Sequence, residues 1–440
     1  MPIPQIGWQL LPQVQMPQQW QQLLLGLSLL LPVLVLIVRS RKGLKLPPGP
    51  ARLPVLGNLH QLGSLPHRSL RELARRHGPV MLLRLGATHM LVVSSASAAR
   101  EVLKEHDADC CSRPACPGPK RLSYGFKNMA FAPYGEHWRE MRKIFIVELL
   151  SMRRVKAAWG ARQEQVDKLM AALAPNEPVA LGEHIFAFTD GIIGTVALGN
   201  VYGADMLARK KQEHRGFTKD HVKAIIMDTF VGGIDTSSVT ILWAMSELIR
   251  NPRVMKKAQE EIRAAVGEPR ARVQPDDLPK LNYLKMVLKE TLRLYPPATL
   301  LLPRETMRHV KIGGYDVPAT TRVAVNAWAL GRDPASWGED ADEFNPDRFE
   351  AGARHGEVDL HGAHFELVPF GAGRRICPGM AMALMNVEFA LANLLCGFDW
   401  ALPEGTKAED LCMEEAGGLT FHRKTPLVLV PTPYVPPSAA

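Results

Sequence analysis

The stretch VPFGAGRRICPGMAMALMNVEFALANLL, residues 368–395, places a lone cysteine, Cys377, between an arginine pair and a Pro-Gly step. Gly371 and Gly373 precede the cysteine, and glycine lets a backbone take a positive φ or approach another group closely. Pro378 has the fixed φ and the missing N–H that suit the first position of a helix. The sequence therefore predicts a glycine-rich loop that places Cys377 at the start of a long apolar helix.

The chemistry of Cys377 has several explanations. Free cysteines are among the residues most often buried, so simple packing is one of them. The positive end of a helix dipole, the unpaired N–H groups there and the charges of Arg374 and Arg375 instead favour a thiolate, which is a nucleophile or a metal ligand. Nucleophilic catalysis needs a histidine base and an orienting partner, and a single sequence does not identify those residues.

Zinc is the poorer choice of metal for this cysteine. A structural zinc site needs further thiolates or histidines at ligand spacing. The chain contains no CxxC, and the three cysteines within residues 110–116 lack a matching second pair. One axial thiolate on haem iron needs no second protein ligand, and glycines for close approach with an arginine for a propionate suit that use.

The residues around Cys377 resemble a known family. Five of them fit the haem-thiolate signature F-x-x-G-x-R-x-C-x-G of cytochromes P450 at every fixed position: Phe370, Gly373, Arg375, Cys377 and Gly379. The resemblance covers nearly all of the chain after Leu46. It implies the mainly α cytochrome P450 fold with small β-sheets, haem b as the cofactor, Cys377 as its iron ligand and the other four as haem-binding residues.

Composition bounds the organisation of the chain. At roughly 150 residues per domain, the 440 residues suggest about three domains, but the resemblance implies one large haem domain over residues 46–440. Six cysteines without a disulfide-like framework fit a reducing compartment. The net charge of +9 is not accompanied by a basic, aromatic-rich nucleic-acid module, so no nucleic-acid partner is expected.

The first 45 residues differ in kind from the rest. Residues 1–38 carry no charged side chain, and residues 23–38 are almost wholly apolar. This run is slightly shorter than the ~20 residues that span a bilayer, but Trp20 and the arginines that follow can extend it. A cleaved signal peptide has its basic residues before the apolar run, and a buried core helix rarely precedes a basic run. We therefore predict a retained single-pass anchor over residues 1–45, with the catalytic domain in the cytosol.

The resemblance also implies partners. The proline-rich residues 46–58 form a stiff spacer and are similar to the hinge of microsomal P450s, which implies the endoplasmic reticulum membrane. Microsomal P450s receive electrons from NADPH through an acidic flavoprotein, NADPH-cytochrome P450 reductase, which docks on the cysteine side of the haem. Three basic residues are candidates for steering it there: Arg139, Lys143 and Arg374.

The run HVKAIIMDTFVGGIDTSSVTILWAMSELIRNP, residues 221–252, predicts a long helix with apolar residues on most faces. Gly232 and Gly233 leave two interpretations that the local sequence supports about equally. Either one helix ends at the glycines and another begins with Asp235 as its N-cap, or a distorted turn lies beside the haem. The resemblance implies the distorted turn, with Asp235 and Thr236 as the catalytic acid–alcohol pair that relays protons to dioxygen.

Two further motifs gain a meaning from the resemblance. Trp138 and Arg142, four apart on what is otherwise an ordinary amphipathic helix, match a family pair that hydrogen-bonds a haem propionate. Glu290 and Arg293 are by themselves typical of a surface ion pair that adds little stability. Together with Arg348 they match a buried structural Glu-Arg-Arg cluster of the family.

The substrate is indicated by the resemblance alone. Stretches such as FTDGIIGTVALGN and IDTSSVTILWAMSELIRNP are similar to plant P450s that convert an aromatic aldoxime into a hydroxynitrile in cyanogenic glucoside synthesis. The implied reaction dehydrates the aldoxime to a nitrile and then hydroxylates the adjacent carbon. Residues 112–126 and 298–302 match variable segments that line the substrate pocket, although each taken alone is an ordinary loop.

The chain departs from the family near residues 206–216. The F and G helices and their loop, several dozen residues in the family, are missing from the expected order there. Those elements cover the substrate pocket, so without them water should reach the iron and activated oxygen should be released more readily. Three hypotheses follow: an active monooxygenase, a folded haem-binding homologue without productive turnover, and an oxygen-independent isomerase or dehydratase, against which Asp235 and Thr236 argue.

Overall fold

A computed structural model describes residues 17–20, 22, 23, 26, 28, 43–198, 217–267, 272–418 and 420–435. The chain divides into two units, Met1–Leu46 and Pro47–Ala440. Most of the predicted anchor over residues 1–45 falls outside the described residues, and so does the whole of the predicted deletion near residues 206–216.

The described part of the second unit is mainly helical. Its α-helices, in chain order, are α1 Pro66–His77, α2 Ala96–Arg100, α3 Asp107–Cys110, α4 Pro117–Leu122, α5 Glu136–Ile144, α6 Met152–Ala157, α7 Trp159–Ala172, α8 Leu181–Leu198, α9 Lys219–Arg250, α10 Pro252–Val266, α11 Asn282–Leu294, α12 Ala327–Leu330, α13 Pro334–Trp337 and α14 Met380–Gly397. Short π-helical and 3₁₀ turns connect them at Leu59–Gln61, Glu101–Glu105, Phe145–Leu150, Leu278–Lys280, Pro346–Phe349, Gly373–Arg375 and Ala408–Asp410.

The strands are short and form small sheets. They are β1 Val80–Leu85, β2 Thr88–Val93, β3 Val179–Ala180, β4 Arg304–Glu305, β5 Val310–Ile312, β6 Tyr315–Val317, β7 Arg322–Val325, β8 Phe398–Ala401, β9 Glu415–Gly417, β10 Phe421–Arg423 and β11 Val428–Pro433. Among the described residues the largest sheet has the order β1-β2-β7-β4, and the others are β3-β11-β8, β5-β6 and β9-β10. The first pair is antiparallel, whereas β2 and β7 run parallel.

The β1–β2 hairpin shows how local sequence sets this register. Leu85 pairs with Thr88, so the connecting turn has two residues. Its first residue, Gly86, has φ +61°. Primed hairpin turns need a positive φ at this position because only their twist matches that of the flanking strands. Apolar side chains such as Met81 and Leu91 are then fully buried against the rest of the unit.

Helix α9 settles the question that its two glycines raised. The helix is continuous from Lys219 to Arg250, so the structure shows neither a break with Asp235 as N-cap nor a distorted turn at the two glycines. A Cβ built on Gly233 would lie 2.6 Å from the Ile193 side chain of α8. Glycine is used here for close helix packing, which offsets the roughly 1 kcal/mol that it costs in a helix interior. The predicted burial holds for the C-terminal half, from Ser237 to Ile249.

Three described helices are, by length and composition alone, long and apolar enough to cross a membrane: α8, α9 and α14. Helix α9 packs against both of the others in the core. The large hydrophobic cluster contains residues from each, among them Ile185, Ile241 and Phe389. Packing against one another therefore supplies a reason for their apolar composition within this unit.

Candidate haem-thiolate site

The loop before α14 is closed by its own backbone. The N–H of Cys377 donates to the carbonyl of Phe370 at 2.9 Å, and the N–H of Gly371 donates to Val368 at the same distance. Gly371 and Gly373 both have φ +69°, a conformation that favours glycine. The predicted glycine-rich loop around Cys377 is confirmed in its geometry.

Helix α14 begins at Met380, with Gly379 as its N-cap. The prediction of a helix that starts at Pro378 is therefore wrong by two residues. The backbone bond between Cys377 and Phe370 keeps the proline in the loop and brings the N–H groups of Gly379 and Met380 to face the cysteine sulfur.

The protein alone does not favour ionisation of the Cys377 thiol. Burial raises the pKa of Cys377, and the backbone N–H groups of Gly379 and Met380 together with the charge of Arg142 lower it by a smaller amount. The sequence-based expectation that the helix start and the arginines would by themselves favour a thiolate is therefore outweighed by burial. A coordinated metal ion deprotonates a thiol outright, so this sulfur suits a metal ligand better than a free nucleophile.

Gly373 is required by the packing of the loop. A Cβ built there would lie 2.3 Å from the carbonyl oxygen of Leu103 and 2.7 Å from the Asp107 carboxyl. The same carboxylate accepts hydrogen bonds from the Arg374 N–H at 2.9 Å and from Arg304 at 2.7 Å. The loop is thus fixed against the segment that precedes and includes α3.

Gly379 has a different explanation. Its φ is −87°, which any residue adopts. A Cβ built there would meet the Cys377 sulfur at 3.9 Å and Leu150 at 4.0 Å, both ordinary contacts. The described protein atoms give no reason for glycine at this position, whereas a flat group bound against the cysteine would.

Helix α5 brings Trp138 and Arg142 to the cysteine loop. Arg142 donates to the carbonyl of Ile376 at 2.9 Å, and its guanidinium lies 5.6 Å from the centre of the Trp138 ring. The guanidinium of Arg375 lies over the same ring at 4.2 Å. The structure therefore assembles three of the predicted cofactor-binding residues beside Cys377.

The indole of Trp138 carries an unsatisfied donor. Trp138 is 4% exposed, and among the described residues its Nε1 has no hydrogen-bond partner. A buried N–H without an acceptor costs about 1–3 kcal/mol, so native structures rarely leave one. An acceptor such as a carboxylate of a bound group would satisfy it.

Arg375 is buried and uses three of its five N–H donors on backbone carbonyls. It donates to Cys111 at 2.8 Å, to Met129 at 3.2 Å and to Ala132 at 2.7 Å. Burial lowers the pKa of Arg375 to about 10, so the side chain stays charged at neutral pH.

Two further buried arginines were not identified from the sequence. Arg113 donates to the carbonyls of Leu302 at 2.6 Å and Pro303 at 2.8 Å, and burial lowers the pKa of its guanidinium. It therefore joins the two segments predicted to line the substrate pocket. Arg304 donates to the backbone carbonyl of Ala372 in the cysteine loop at 2.7 Å. Each arginine interrupts a run of apolar and small residues, and this was the available sequence signal.

Most of the buried arginines in this region lack a direct ion pair. Arg113, Arg304 and Arg375 are all buried, and among the described residues only Arg304 pairs directly with a carboxylate, that of Asp107. Buried charge needs a counter-charge, and an anionic group would supply it. Three features fit a haem with two propionates. They are the unpartnered Trp138 N–H, the space beside the cysteine that Gly379 leaves, and the positive charge of the buried arginines.

Asp235 and Thr236 lie on α9, away from these arginines. The hydroxyl of Thr236 donates to the carbonyl of Gly232 at 2.7 Å. The hydroxyl of Thr420, which lies between β9 and β10, donates to the Asp235 carboxylate. Sequence reasoning did not identify Thr420, because it is 185 residues from its partner. In the described residues no direct bond joins this pair to the cysteine loop, and the connection is the packing of α9 on α14.

The Glu-Arg-Arg cluster forms as predicted. Arg293 donates to both carboxylate oxygens of Glu290 at 2.7 Å, and Arg348 donates to one of them at 3.0 Å. The side chains of Glu290 and Arg293 are completely buried. The cluster ties α11 to the turn Pro346–Phe349 and is a structural feature.

Comparison with known proteins defines the class. The family model described as Cytochrome P450 matches residues 47–207 and 201–430. The chain belongs to the cytochrome P450 family. It is a haem-thiolate monooxygenase of mainly helical fold that uses haem b, a small-molecule substrate and electrons from NADPH supplied through a redox partner.

Individual relatives narrow the comparison. The chain is 54% identical to 4-hydroxyphenylacetaldehyde oxime monooxygenase of Sorghum bicolor, over 95% of this chain and 96% of the relative. It is 44% identical to 2-methylbutanal oxime monooxygenase of Manihot esculenta, over 94% and 97%. A solved zebra fish cytochrome P450 structure with progesterone has a TM-score of 0.74 at 24% identity, covers 84% of this chain and 99% of its own, and supports the fold alone.

The alignments are also longer than this chain. The comparison with the Sorghum bicolor relative spans 519 positions, more than the 440 residues of this chain. The relative therefore has residues without a counterpart here. The family model matches in two pieces that meet at residues 201–207, beside the predicted deletion.

Proposed function

We propose that this chain is an endoplasmic reticulum P450 that converts an aromatic aldoxime into a hydroxynitrile. The observation that carries the substrate class is the 54% identity, over 95% of the chain, to an enzyme named as an oxime monooxygenase. A second relative named as an oxime monooxygenase, from another plant, supports the same substrate class.

The proposed reaction balances in two steps. Loss of water from the aldoxime breaks its aldehydic C–H and its N–O bond and forms the nitrile, without net oxidation. Dioxygen, two electrons and two protons then insert one oxygen atom into a C–H bond of the adjacent carbon, and the second oxygen atom leaves as water. NADPH supplies the electron pair through the reductase, and the bound haem supplies the iron at which dioxygen is activated.

We propose that Cys377 holds the iron and that the loop around it is built for that purpose. Phe370 accepts the Cys377 N–H, Gly373 allows the tight packing of the loop, and Gly379 leaves space beside the sulfur. Trp138, Arg142 and Arg375 would bind the propionates, because an indole N–H and guanidinium groups are donors that suit carboxylates.

Asp235 and Thr236 are proposed to supply protons on the side of the haem site opposite Cys377. A hydroxyl holds a water molecule in place, and a neighbouring carboxylate passes a proton to it from solvent. Both residues are partly exposed, as this role requires. Thr420 holds the Asp235 carboxylate by donating to it.

The proposed location and redox partner rest on separate features. Residues 1–45 would anchor the chain in the membrane, with the haem domain in the cytosol. Arg139, Lys143 and Arg374 are exposed near the cysteine loop, and positive charge there would attract an acidic NADPH-cytochrome P450 reductase.

We further propose that the F and G helices are absent from this chain. The gap in the comparison with the Sorghum bicolor relative and the two-piece family match support this proposal. Its consequence is lower coupling of electron flow to product, since the distal side loses its cover. A haem-binding homologue without turnover is the alternative function, and the identity to a relative named as an oxime monooxygenase favours the monooxygenase.

The test uses the full chain in microsomes with added reductase. The reduced protein with carbon monoxide should show the red-shifted Soret band of thiolate-ligated haem, and the variant Cys377→Ser should lose it. Incubation with 4-hydroxyphenylacetaldehyde oxime, NADPH and dioxygen should then yield the hydroxynitrile. NADPH consumption with peroxide as the sole product would support the alternative, and product formed without dioxygen would support a dehydratase.

A further inference from the structure

A short segment links the two sides of the proposed haem site. We call Asn128–Ala132, which lies between α4 and α5, the bridging segment. Its main-chain N–H groups bind a side chain of α9, the helix that carries Asp235 and Thr236. Its carbonyl groups bind the arginines beside the cysteine loop.

On the α9 side the partner is Asp228. Its carboxylate accepts three hydrogen bonds: from the side-chain amide of Asn128 at 2.6 Å, from the N–H of Met129 at 2.8 Å and from the N–H of Ala130 at 3.0 Å. Burial raises the pKa of Asp228 to about 6, and these three bonds lower it by a smaller amount. An ionised carboxylate is the form that accepts all three donors.

On the cysteine side the partners are cations. Arg375 donates to the carbonyls of Met129 at 3.2 Å and Ala132 at 2.7 Å, and Arg113 donates to the carbonyl of Ala130 at 3.0 Å. The bridging segment thus accepts bonds from guanidinium groups on one side and donates to a carboxylate on the other. Met129 and Ala130 each form both kinds of bond, one to the carboxylate and one to a guanidinium.

This arrangement couples Asp228 on one side of the bridging segment to Arg375 and Arg113 on the other. The peptide group that joins Met129 and Ala130 donates its N–H to the Asp228 carboxylate and accepts from Arg375 at its carbonyl, and these bonds are cooperative because hydrogen bonds in a chain polarise one another. Charge-assisted bonds are also about twice as strong as neutral ones. Loss of the Asp228 charge would therefore release the segment from α9 and loosen the carbonyls that hold Arg375.

We propose that Asp228 is a positioning residue for the haem: through the bridging segment it holds Arg375, and with it the cysteine side of the site, in register with α9. The inference rests on the proposed haem-binding role of Arg375. Asp228 itself contacts neither the cysteine nor the predicted proton-relay pair in any bond that the described residues show.

The experiment measures how fast haem leaves the ferric protein for an excess of a haem-scavenging apoglobin, well below the melting temperature. Asp228→Asn should lose haem roughly tenfold faster than the unaltered chain, the order expected from losing one or two charge-assisted bonds. The reduced carbon monoxide complex should keep the thiolate Soret band, because Cys377 is untouched.

The matched control is Asp220→Asn. Asp220 lies on the same helix and pairs with Lys127, which directly precedes the bridging segment, at 2.9 Å, but its side chain is 42% exposed. Its removal should leave haem loss unchanged, since exposed pairs contribute little. A second control, Ile262→Val in the buried face of α10, lowers the melting temperature without touching the bridging segment.

The outcomes separate this inference from the proposed function. A thiolate band in the unaltered chain, with equal haem loss in Asp228→Asn and Asp220→Asn, would overturn this inference alone. Equal acceleration in Ile262→Val at a matched drop in melting temperature would also overturn it, because a general loss of stability would then explain the effect. A missing thiolate band in the unaltered chain would overturn both.

A second variant covers the case in which Asp228→Asn does not accumulate. Asn128→Ala removes one donor from Asp228 and the acceptor of the Phe131 N–H at 3.2 Å, and leaves both backbone bonds to Asp228 in place. It should accelerate haem loss in the same direction and by a smaller factor. An unchanged rate in Asn128→Ala would overturn the inference.

Discussion

Gly373 shows how one absent side chain shapes the cysteine loop. Its positive φ is a feature that many turn glycines share. In addition, a Cβ at this position would lie closer to the Leu103 carbonyl oxygen than real Cβ atoms ever do. The glycine therefore serves both conformation and packing. A larger residue would displace the segment that carries Asp107, and with it the backbone of Arg374.

The first prediction follows from that contact. Gly373→Ala should abolish the thiolate Soret band of the reduced carbon monoxide complex, because the added Cβ must move the loop that places Cys377. Gly405→Ala is the matched control: Gly405 also has a positive φ, +80°, but a Cβ there meets nothing within 4 Å. It should cost about 1–2 kcal/mol of folding free energy and keep the band. A normal band in Gly373→Ala would contradict the packing argument.

The second prediction concerns the unpartnered indole. Trp138→Phe keeps an aromatic ring between Arg142 and Arg375 but removes the N–H that has no acceptor in the described residues. If that N–H binds a propionate, the variant should lose haem several-fold faster and keep the stability of its haem-free form, since no protein bond is lost. Haem transfer and denaturant unfolding measure the two quantities, and an unchanged transfer rate would contradict the assignment.

At the scale of elements, buried ion clusters fix how helices meet the loops. Glu290 accepts from both arginines and from the N–H of Asn345 at 2.8 Å. Because Asn345 directly precedes the turn Pro346–Phe349, these bonds tie α11 to that turn. Such a cluster is weak evidence for stability as it stands, but removing one member leaves buried charge without a partner.

We therefore expect Glu290→Gln to lower the free energy of unfolding by about 3–5 kcal/mol, measured by denaturant titration. Glu72→Gln is the control, because Glu72 and Arg76 form an exposed pair on α1, four residues apart. That change should cost less than about 0.5 kcal/mol. Similar losses in the two variants would show that the cluster is not different in kind from a surface pair.

The β9–β10 hairpin is held by a second ion cluster, which is centred on the buried carboxylate of Glu415. Glu415 accepts from His67 at 3.0 Å and from Arg68 at 2.8 Å, which joins the hairpin to α1. Burial raises the pKa of Glu415, but the hydrogen bonds and charges of His67 and Arg68 together outweigh burial, so the net pKa is lowered. The same hairpin positions Thr420 against Asp235.

The sign of this pKa shift gives a pH prediction. A carboxyl whose folded pKa is lowered stabilises the fold above its unfolded pKa and loses that contribution as pH falls through the folded pKa. The unaltered chain should therefore exceed Glu415→Gln in unfolding free energy at pH 7, and the difference should shrink as the pH falls below about 4.3. Denaturant unfolding of both proteins between pH 7 and pH 3.5 measures it. A difference that grows on acidification would contradict the assignment.

At the scale of the whole molecule, several apolar side chains of α8 and α9 are exposed. Met227 and Val231 on α9 are each 37% exposed, and Leu198 at the end of α8 is 68% exposed. The proposal that the F and G helices are absent agrees with this exposure, because in the family those helices cover the substrate pocket.

The corresponding prediction uses a chimera. Insertion of the segment that the Sorghum bicolor relative has and this chain lacks should raise the fraction of NADPH electrons recovered in the hydroxynitrile and lower the fraction recovered as peroxide. An insert of equal length built from Gly and Ser is the control, since it restores the length without the helices. Equal coupling in both proteins would show that cover of the distal side does not limit turnover.

The sequence determined the parts of this protein that are local. The signature around Cys377 predicted the class, since the loop glycines, a proline and a single cysteine lie within ten consecutive residues. The long apolar run of α9, the pair on α5 and the three members of the Glu-Arg-Arg cluster were also identified in this way. Helix bounds were less accurate: α14 starts two residues later than predicted, because a backbone bond keeps Pro378 in the loop.

The tertiary structure decided what depends on contacts between distant residues. It showed that α9 is continuous and that Gly233 packs on Ile193, that burial outweighs the local charges at Cys377, and that Asp228 and Arg375 hold opposite sides of one segment. None of these follows from spacing along the chain. The physical reason is that burial and pairing depend on which groups meet in space, whereas a motif records only which residues are neighbours in sequence.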